Sequence, residues 1–374
     1  MNIAMVGHKR MPSREGGIEI VVEALATRMV SLGNNVTVYN RSGHHVAGEK
    51  YDAQKLTEYK GVNIKYVPTI EKRGLAAVSS SFFGCLFAGI GKYDVVHIHA
   101  EGPAHFSWLV KFLSGGRKRV VVTIHGLDWA RAKWGRFASW YIKGGEKNAV
   151  KYADEIIVLS KAVQDYFITT YGRKTVFVPN GVERTGITEA KEITKQWGLS
   201  KDSYILFVGR LVPEKGIKYL LQAWKNVKTD KKLVLAGMPS DSEEFAEEIK
   251  SLADNRVVFT GFVTGRSLKE LYSNSYLYVL PSDLEGMPLT LLEAMSYGNC
   301  CLTSDIKECT EVTGDKAVTF KKSNVEDLRE KLQKLVDSPT DVEKYKSTAA
   351  DFICSKYNWD DVVNRTLKLY EENS

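Results

Sequence analysis

The chain has 374 residues, a length that suits two domains better than one hydrophobic core. Hydrophobic residues make up 44% and charged residues 26%, which is typical of a globular protein and excludes a disordered or fibrous chain. The formal charge of +7 favours anionic partners such as nucleotides or lipid phosphates, and it is too small to indicate a nucleic-acid-binding stripe.

No secretory or membrane-spanning segment is predicted. The N-terminus runs directly into an apolar strand, without a charged region and a signal core. The most apolar window, residues 75–90, falls short of a membrane-spanning helix. The five cysteines lack metal-ligand spacing, so we expect reduced packing residues and a cytoplasmic protein. They are Cys85, Cys300, Cys301, Cys309 and Cys354.

The first elements predict a parallel sheet. Residues 3–6 read as a strand, residues 18–32 as a helix and residues 36–39 as the next strand. Gly16 and Gly17 lie at the start of that helix, where a bare backbone can approach a ligand and leave N–H groups free. A plain flexible loop is the alternative. The loop does not match G-x-G-x-x-G, so a dinucleotide fingerprint is not supported.

Two further predicted strands, residues 94–99 and 120–126, end in polar residues. Their histidines lie at the carboxyl ends of strands, where open α/β sheets bind ligands. Alternation along the first of these strands sends His97 and His99 to the same face. Satisfied structural histidines are the alternative. The candidate functional residues here are His125, His99, Glu101 and Asp128.

Residues 127–143 mix tryptophans with arginines and lysines. Aromatic and cationic residues together suit a membrane interface. A helix with its tryptophans in the core and its cations in water is the favoured alternative. Strands follow at 155–160 and 176–182, and residues 183–200 read as a polar linker.

The second half begins with a predicted strand at 204–208 that leads into Gly209 and Arg210, with Lys215 close behind. Two cations in one loop at the end of a strand can stabilise a departing diphosphate, because they place fixed positive charge where negative charge develops. A solvated charged loop is the alternative. Further strands are predicted at 232–237 and 257–263, and a helix at 268–273.

Another apolar strand, residues 276–280, leads through a polar turn into a helix that Pro288 begins and Gly298 ends. Glu285 lies in the turn and Glu293 lies inside the helix. A free helix N-terminus beside Gly286 can bind an anion, and a carboxylate there can accept hydrogen bonds from hydroxyls. Phosphate plus hydroxyls suggests a sugar nucleotide. A strand at 300–303 and a last helix at 352–370 complete the predicted elements.

These motifs resemble the retaining glycosyltransferases of family 4, which have the GT-B fold. The resemblance rests on Glu-Gly-x-Pro with Glu-Ala-Met, an E-x7-E signature, and on Gly-Arg-Leu-x-x-x-Lys-Gly. It implies that Glu285 contacts donor-sugar hydroxyls, that Glu293 holds the ribose, and that Arg210 and Lys215 grip the diphosphate. The other implied donor contacts are Gly16, Gly17, Gly209, Gly286, Met287, Pro288, Leu289 and Val263, with His125 close to the sugar.

Residues 126–134, Gly-Leu-Asp-Trp-x-Arg-x-Lys-Trp, and the early Gly-Gly-Ile-Glu are similar to a rhamnosyltransferase-like subgroup that builds bacterial surface polysaccharides. The chain departs from that subgroup at His125, where Asp is common, and at Ile18, where Phe is common. The resemblance implies a lipid-linked glycan acceptor, and we expect a UDP or TDP sugar as donor. No Asp-x-Asp triplet is present, so we expect no metal. The candidate acceptor-side residues are His99, Glu101 and Asp128.

We therefore expect an α/β protein of GT-B type, with two Rossmann-like parallel-sheet domains facing across a cleft. The expected domains are residues 1–185, residues 200–355 and a helix at 356–374 that crosses back to the first domain. The expected activity is transfer of a hexose, with rhamnose and glucose as candidates, from a nucleotide diphosphate to a hydroxyl. The expected location is the cytoplasm, at the inner face of an anionic membrane, with no nucleic-acid partner. The alternatives are a sugar-nucleotide epimerase of the same architecture, a dinucleotide oxidoreductase and a nucleic-acid-binding protein.

Overall fold

The computed structural model divides the protein into two compact units. Unit 1 comprises Met1–Asn180 together with Trp359–Ser374, and unit 2 comprises Gly181–Asn358. The structure describes residues 1–14, 16–44, 55–72, 74–130, 135–239 and 243–371. Each unit is a parallel β-sheet with helices, so the expected class of two Rossmann-like α/β domains is confirmed.

Unit 1 is built on an eight-stranded sheet in the order β3-β4-β2-β1-β5-β6-β7-β8. Neighbouring strands are parallel except for β3 and β4. The strand order reverses at β1, because the chain continues to β2 on one side of it and returns to β5 on the other. The strands are β1 (Asn2–Val6), β2 (Asn35–Arg41), β3 (Glu58–Tyr59), β4 (Val62–Val67), β5 (Val95–His99), β6 (Arg119–Ile124), β7 (Glu155–Val158) and β8 (Val176–Phe177).

The helices of unit 1 bury their apolar sides on this sheet. They are α1 (Gly17–Ser31), α2 (Leu75–Ile90), α3 (Glu101–Ala104), α4 (Ser107–Leu113), α5 (Arg136–Tyr152) and α6 (Lys161–Tyr171). Ser160 is the N-cap of α6, and its side chain accepts a hydrogen bond from the Val163 N–H at 3.2 Å; Gly172, in the left-handed region, caps the other end. The elements β3, β4, α2, α3, α4 and α6 were not predicted from the sequence.

The mixed stretch at 127–143 divides into a short 3-10 turn, Asp128–Ala130, and the start of α5. Residues 131–134 lie outside the described residues, and with them Arg131, Lys133 and Trp134. The favoured prediction, tryptophans in the core, is wrong for Trp140, which is 67% exposed. The reason is the helical phase of α5, in which Ile142, Gly145 and Ala149 face inward instead.

Unit 2 contains six parallel strands in the order β11-β10-β9-β12-β13-β14, which reverses between β9 and β12. The strands are β9 (Tyr204–Val208), β10 (Lys232–Ala236), β11 (Val257–Gly261), β12 (Leu277–Leu280), β13 (Cys301–Ser304) and β14 (Val318–Phe320). The helices are α7 (Glu192–Trp197), α8 (Ile217–Trp224), α9 (Glu243–Leu252), α10 (Gly265–Asn274), α11 (Leu289–Ser296), α12 (Lys307–Thr313), α13 (Val325–Asp337) and α14 (Pro339–Lys356).

The C-terminal helix α15 (Trp359–Glu371) packs on α1 and β6 and therefore belongs to unit 1, as expected. The single helix predicted at 352–370 is wrong, because α14 ends before α15 begins. The Tyr357 carbonyl accepts a hydrogen bond from the Val182 N–H at 2.9 Å, and Val182 pairs with Asn358 in a β-bridge. These contacts hold the two intervening residues out of helical geometry.

All five cysteines are free, as the sequence suggested, and four of them are buried. Burial raises the pKa of the Cys85 thiol to about 12, so this residue is an inert part of the core. Within the described ranges, no helix combines the length and the apolar character that crossing a membrane would require.

Candidate active site

The carboxyl ends of β9 and β12 lie side by side in unit 2. These strands pair in parallel, with Leu277 opposite Ile205 and Tyr278 opposite Leu206, at the point where the strand order reverses. Open α/β sheets bind ligands at such a switch point. Arg210 follows β9 and the loop 281–288 follows β12, so the topology brings two predicted motifs to one edge of the sheet.

Lys215 and Glu285 meet at this edge. The Lys215 Nζ lies 2.5 Å from the Glu285 Oε1, and the two side chains are only 17% and 8% exposed. The Ser282 hydroxyl donates a hydrogen bond to the same carboxylate oxygen at 2.6 Å. A cation and a hydroxyl therefore hold Glu285 in one orientation, and the pair is stronger than one in open water.

The two loops can approach because a glycine follows Lys215. Gly216 has φ +69°, and a Cβ there would lie 2.0 Å from the Pro281 carbonyl oxygen. The Asp283 N–H donates to the Glu214 carbonyl at 2.8 Å, and the Tyr219 hydroxyl donates to Asp283 Oδ1 at 2.9 Å. Sequence analysis did not identify Tyr219, Ser282 or Asp283, because their roles depend on this close approach.

Arg210 is half-buried and follows β9, on the same loop as Lys215. In the part of the chain that the structure describes, its guanidinium has no ion-pair or hydrogen-bond partner. A Cβ at Gly237 would lie 1.8 Å from the Gly209 carbonyl oxygen, so the turn after β10 packs directly on the turn that holds Arg210. A guanidinium is always protonated and offers two parallel donors, which suits an incoming phosphate.

The helix α11 begins where the sequence predicts, although Pro288 is its N-cap residue and not part of its first turn. Its end is marked by Gly298, at φ +79°. Glu293 is half-buried and accepts a hydrogen bond from the Tyr272 hydroxyl at 3.2 Å, and the Tyr272 ring stacks on Tyr297 at 5.3 Å. Burial, followed by the charge of Glu293, raises the pKa of Tyr272, so this phenol stays a donor.

The other predicted donor contacts fall into two groups. Gly286 and Met287 lie in the loop before α11, and Leu289 is the first residue of that helix, where backbone N–H groups lack intrahelical acceptors. Val263 follows β11, which β10 and β9 separate from β12. The structure thus gathers Gly286, Met287 and Leu289 near Glu285, and it places Val263 further along the same edge.

Unit 1 has its own switch point, and histidines occupy it. The rings of His97 and His99 lie 4.1 Å apart, which confirms that they share a face, and His99 Nδ1 lies 3.1 Å from His125 Nε2. Burial lowers the pKa of His125 to about 4 and that of His97 to about 3. All three rings are neutral at pH 7, because burial also lowers the pKa of His99.

His97 is structural, because both of its ring nitrogens have protein partners. Its Nδ1 lies 2.6 Å from the Tyr370 hydroxyl on α15, and its Nε2 lies 2.7 Å from the Thr123 hydroxyl on β6. His125 is half-buried and pairs only through His99 among the contacts of the described residues. His99 Nε2 also lacks a partner among the described residues, but His99 is fully buried, so His125 is the histidine of this group that can present a ring nitrogen to a ligand.

His8 and Glu19 were missed by sequence analysis. The Nε2 of His8 lies 3.0 Å from Asn40 Oδ1, and burial lowers its pKa to about 4. Burial alone would raise the pKa of Glu19, but the charge and backbone N–H of Lys9 outweigh it and hold that pKa below its usual value. Glu19 lies under Gly16 at the start of α1, since a Cβ on Gly16 would meet its carboxylate at 2.7 Å. The position of His8 two residues after the first strand was the available signal.

Glu101 is fully buried inside unit 1 and not on an open surface. Its Oε2 accepts a hydrogen bond from the Asp128 N–H at 2.9 Å, which ties α3 to the turn after β6. Burial, then the nearby charges of Asp128 and Glu146, raises the pKa of Glu101 well above its usual value. Among the described residues, no three His, Cys, Asp or Glu side chains are grouped closely enough to hold a metal ion.

Two glycosyltransferase family models match the chain, one in each half. Residues 15–185 match Glycosyltransferase Family 4, and residues 189–371 match Glycosyl transferases group 1. The chain is a GT-B glycosyltransferase. Together the two models support the family 4 type that the sequence motifs resembled.

Relatives of this glycosyltransferase align over most of its length. It is 26% identical to an uncharacterized glycosyltransferase of Methanocaldococcus jannaschii, across 99% of this chain and 98% of that one. It is also 26% identical to the alpha-maltose-1-phosphate synthase of Mycolicibacterium smegmatis, across 75% and 79% of the two chains.

Solved structures share the fold. A sucrose-phosphate synthase of Thermosynechococcus elongatus superposes with a TM-score of 0.82 at 19% identity, covering 99% of this chain and 98% of that one. An Anabaena protein in complex with UDP and glucose superposes with a TM-score of 0.80 at 16% identity, covering 98% of each chain. At these identities, the likeness to solved structures bears on the fold alone.

Proposed function

We propose that this glycosyltransferase moves a sugar from a nucleotide-diphosphate donor to a hydroxyl acceptor and retains the configuration at the transferred carbon. The observation that carries the proposal is the Lys215–Glu285 pair at the switch point of unit 2, with Arg210 on the same loop as Lys215. Cations suit the diphosphate, and the carboxylate suits the sugar hydroxyls. The Anabaena neighbour in complex with UDP and glucose supports a donor of this class, with UDP or TDP favoured.

The proposed reaction is a front-face substitution. The bond between the sugar carbon and the diphosphate oxygen breaks, and the diphosphate departs toward Arg210 and Lys215. The acceptor oxygen bonds to the same face of that carbon and gives its proton to the departing diphosphate oxygen. The N-terminus of α11 adds a positive dipole, so we propose that these charges do the electrostatic work of a metal.

The remaining residues have proposed binding roles. In unit 2, Glu293 accepts hydrogen bonds from the ribose, and the base lies against backbone near Val263. In unit 1, the backbone of Gly16 and Gly17 at the start of α1 contacts the donor diphosphate. His125 is neutral at pH 7 and can therefore donate or accept a hydrogen bond at the sugar.

The acceptor is proposed to be a lipid-linked glycan of surface polysaccharide synthesis, with rhamnose or glucose as the transferred sugar. The similarity of residues 126–134 to the rhamnosyltransferase-like subgroup supports this choice. The acceptor-side residues are proposed to be His99, Glu101 and Asp128. The buried Glu101 would act there by holding the backbone of Asp128, because its own carboxyl group does not reach the surface.

The epimerase alternative is not favoured, because both family models and the named relatives are glycosyltransferases or synthases. An epimerase would convert the donor sugar without an acceptor and leave the nucleotide attached. Product analysis after incubation with donor alone separates the two. We expect only slow release of free sugar and nucleotide, and an epimerised nucleotide sugar would overturn the proposal.

The donor is identified first by thermal shift against UDP, TDP, GDP and ADP and their common sugars. Stabilisation by one nucleotide is the expected result. No shift with any of them, in folded protein, would contradict a nucleotide-sugar donor. The anomer released by slow hydrolysis of that donor, followed by NMR before it mutarotates, tests retention. Release of the inverted anomer would refute the front-face mechanism.

The site is tested by Arg210→Ala and Glu285→Ala, with nucleotide release as the assay. We expect each variant to lose activity about 100-fold to 1,000-fold, as removal of a transition-state partner typically does. The matched controls are Lys218→Ala and Arg329→Ala, whose exposed ion pairs in α8 and α13 lie outside the site. Wild-type rates in both site variants would sink the assignment.

A further inference from the structure

Large apolar side chains are exposed on three neighbouring helices of unit 1. The helix α4 contacts both α2 and α5. Phe112 on α4 is 75% exposed and Phe137 on α5 is 77% exposed. We call this surface the apolar helix face, and it comprises Phe82, Ile90, Trp108, Phe112, Phe137 and Trp140. A folded domain exposes single apolar residues freely, but it rarely exposes this many on adjoining helices without a partner.

The helix α5 shows that the exposure follows from helical phase. Its exposed positions recur every three or four residues, as on one side of a helix. The rings of Phe137 and Trp140 lie 5.8 Å apart near its N-terminus, and the later exposed positions are cationic. The exposed residues are Arg136, Phe137, Trp140, Lys143, Lys147 and Lys151. The helix is therefore amphipathic in an unusual sense, since its outer side carries aromatic rings and positive charge.

The charge of the three helices has one sign at the surface. The helix α2 contains no charged residue, and α4 contains only Lys111. The one acidic residue in the three helices is Glu146, which is fully buried and accepts hydrogen bonds from two tyrosine hydroxyls. Every exposed charge on these helices is positive, so an anionic partner is the one that complements them.

We propose that the apolar helix face docks on the surface of an anionic phospholipid bilayer. Aromatic rings at the level of the headgroups, with lysines reaching the phosphates, are the mark of a helix that lies in a membrane interface. A protein partner fits less well, because the cores of protein interfaces are depleted in lysine. Here Lys143 and Lys147 follow the aromatic rings along α5, and the Lys143 Nζ lies 3.9 Å from the centre of the Trp129 ring. In the bilayer their alkyl stems cover apolar surface while the ammonium groups stay wet.

The proposed lipid-linked acceptor gives membrane docking a biological purpose, and in that respect the docking proposal rests on the proposed function. The binding of the protein to the bilayer requires neither donor nor acceptor. It is tested by sedimentation of the full chain with vesicles of phosphatidylcholine, alone or with about one third phosphatidylglycerol. We expect binding to the mixed vesicles, weakened by salt, and little binding to phosphatidylcholine alone. Equal partition to both, or to neither, would overturn the proposal.

Variants then locate the surface. Lys143→Glu with Lys147→Glu should lower the partition coefficient at least about 25-fold, since each surface lysine contributes about fivefold. Phe137→Ser with Trp140→Ser should lower it at least about tenfold. The controls are Lys195→Glu with Lys201→Glu, and Ile187→Ser, all exposed positions of unit 2. Loss of binding in the controls, or its retention in both test variants, would refute this face.

A second readout separates this proposal from the proposed function. The nucleotide-induced thermal shift is measured on the same variants without vesicles. We expect Phe137→Ser with Trp140→Ser to keep the wild-type shift, because the substituted rings lie outside the nucleotide-binding unit. Vesicle binding without any nucleotide shift would leave the docking face standing and sink the donor proposal. Assembly through this face in wild-type protein, removed by the same substitutions and without vesicle binding, would identify a second copy as the partner.

Discussion

We propose that Lys215 contributes both to catalysis, through its charge, and to stability, through its ion pair with Glu285. Stability and binding measurements on Lys215 variants separate the two contributions. Breaking a fully buried ion pair by deleting one partner costs about 3 to 5 kcal/mol, because a charge remains buried without compensation. The Lys215–Glu285 pair keeps some exposure, 17% and 8%, and Ser282 still donates to the carboxylate. We therefore discount the cost for solvent screening and expect Lys215→Met to lower the free energy of unfolding by about 2 kcal/mol.

A double-mutant cycle measures the pair directly. If the 2.5 Å contact provides the coupling, Lys215→Met with Glu285→Gln should be less destabilised than the sum of the single variants, by about 1 to 2 kcal/mol. Urea denaturation followed by circular dichroism gives these differences. The control Lys218→Met removes an exposed pair with Glu248 and should cost under about 1 kcal/mol.

Binding distinguishes the roles of the two residues. The free nucleotide diphosphate selected by thermal shift should bind Lys215→Met at least about tenfold more weakly, because a charge-assisted contact is lost. Glu285→Gln should keep affinity for the free nucleotide and lose the extra affinity that the sugar provides. Isothermal titration checks both. Unchanged nucleotide affinity in Lys215→Met, together with additive stabilities, would refute the reasoning.

Three further predictions concern unit 1. Gly7→Ala should cost at least about 3 kcal/mol, because φ is +102° and the new Cβ would lie 2.3 Å from a carbonyl oxygen of β5. Gly33→Ala, at φ +84° in open space, should cost only about 1 kcal/mol by thermal unfolding, and equal costs would contradict the steric argument. Tyr370→Phe removes the 2.6 Å partner of His97 and should cost about 1 to 3 kcal/mol in urea, so a cost near zero would be inconsistent with this hydrogen bond. The pKa values of His8 and His97 are lowered to about 4 and about 3, so the unfolded state binds more protons than the folded state below about pH 6.5. The stabilisation should be fully present above that pH, and the free energy of unfolding should fall by up to about 1.4 kcal/mol per pH unit per histidine as the pH drops toward 4. The slope should be shallower in His97→Gln if the assignment holds.

Features that depend only on residues close together in the chain could be predicted from the sequence. The strand at 204–208 and the loop with Arg210 and Lys215 could be recognised, because hydrophobic pattern and motif are local. The pairing of Lys215 with Glu285 could not, because 70 residues separate them and only the reversal of strand order brings β9 beside β12. The supporting contacts of Tyr219 and Asp283 were hidden for the same reason.

Some errors have other physical causes. The break between α14 and α15 depends on the distant Val182, which pairs with the intervening residues, and nothing in residues 352–370 indicates it. Trp140 was expected to be buried because it is hydrophobic, but it is exposed. The helical phase of α5 turns smaller residues toward the interior instead. An exposed tryptophan departs from the rule that large apolar side chains are buried. A functional surface explains this exposure, and a core pattern does not.

The helix α15 also determines when unit 1 can be completed during synthesis. The first 180 residues leave the ribosome early, yet the hydroxyl that pairs with His97 belongs to a residue 273 positions later. Until the end of the chain emerges, the α1 and β6 surfaces that α15 covers stay open to water. Because domains otherwise fold in order as they are made, unit 2 can fold first although it is encoded second. A chain that ends before Trp359, once released from the ribosome, should therefore show a protected unit 2 and a protease-sensitive unit 1.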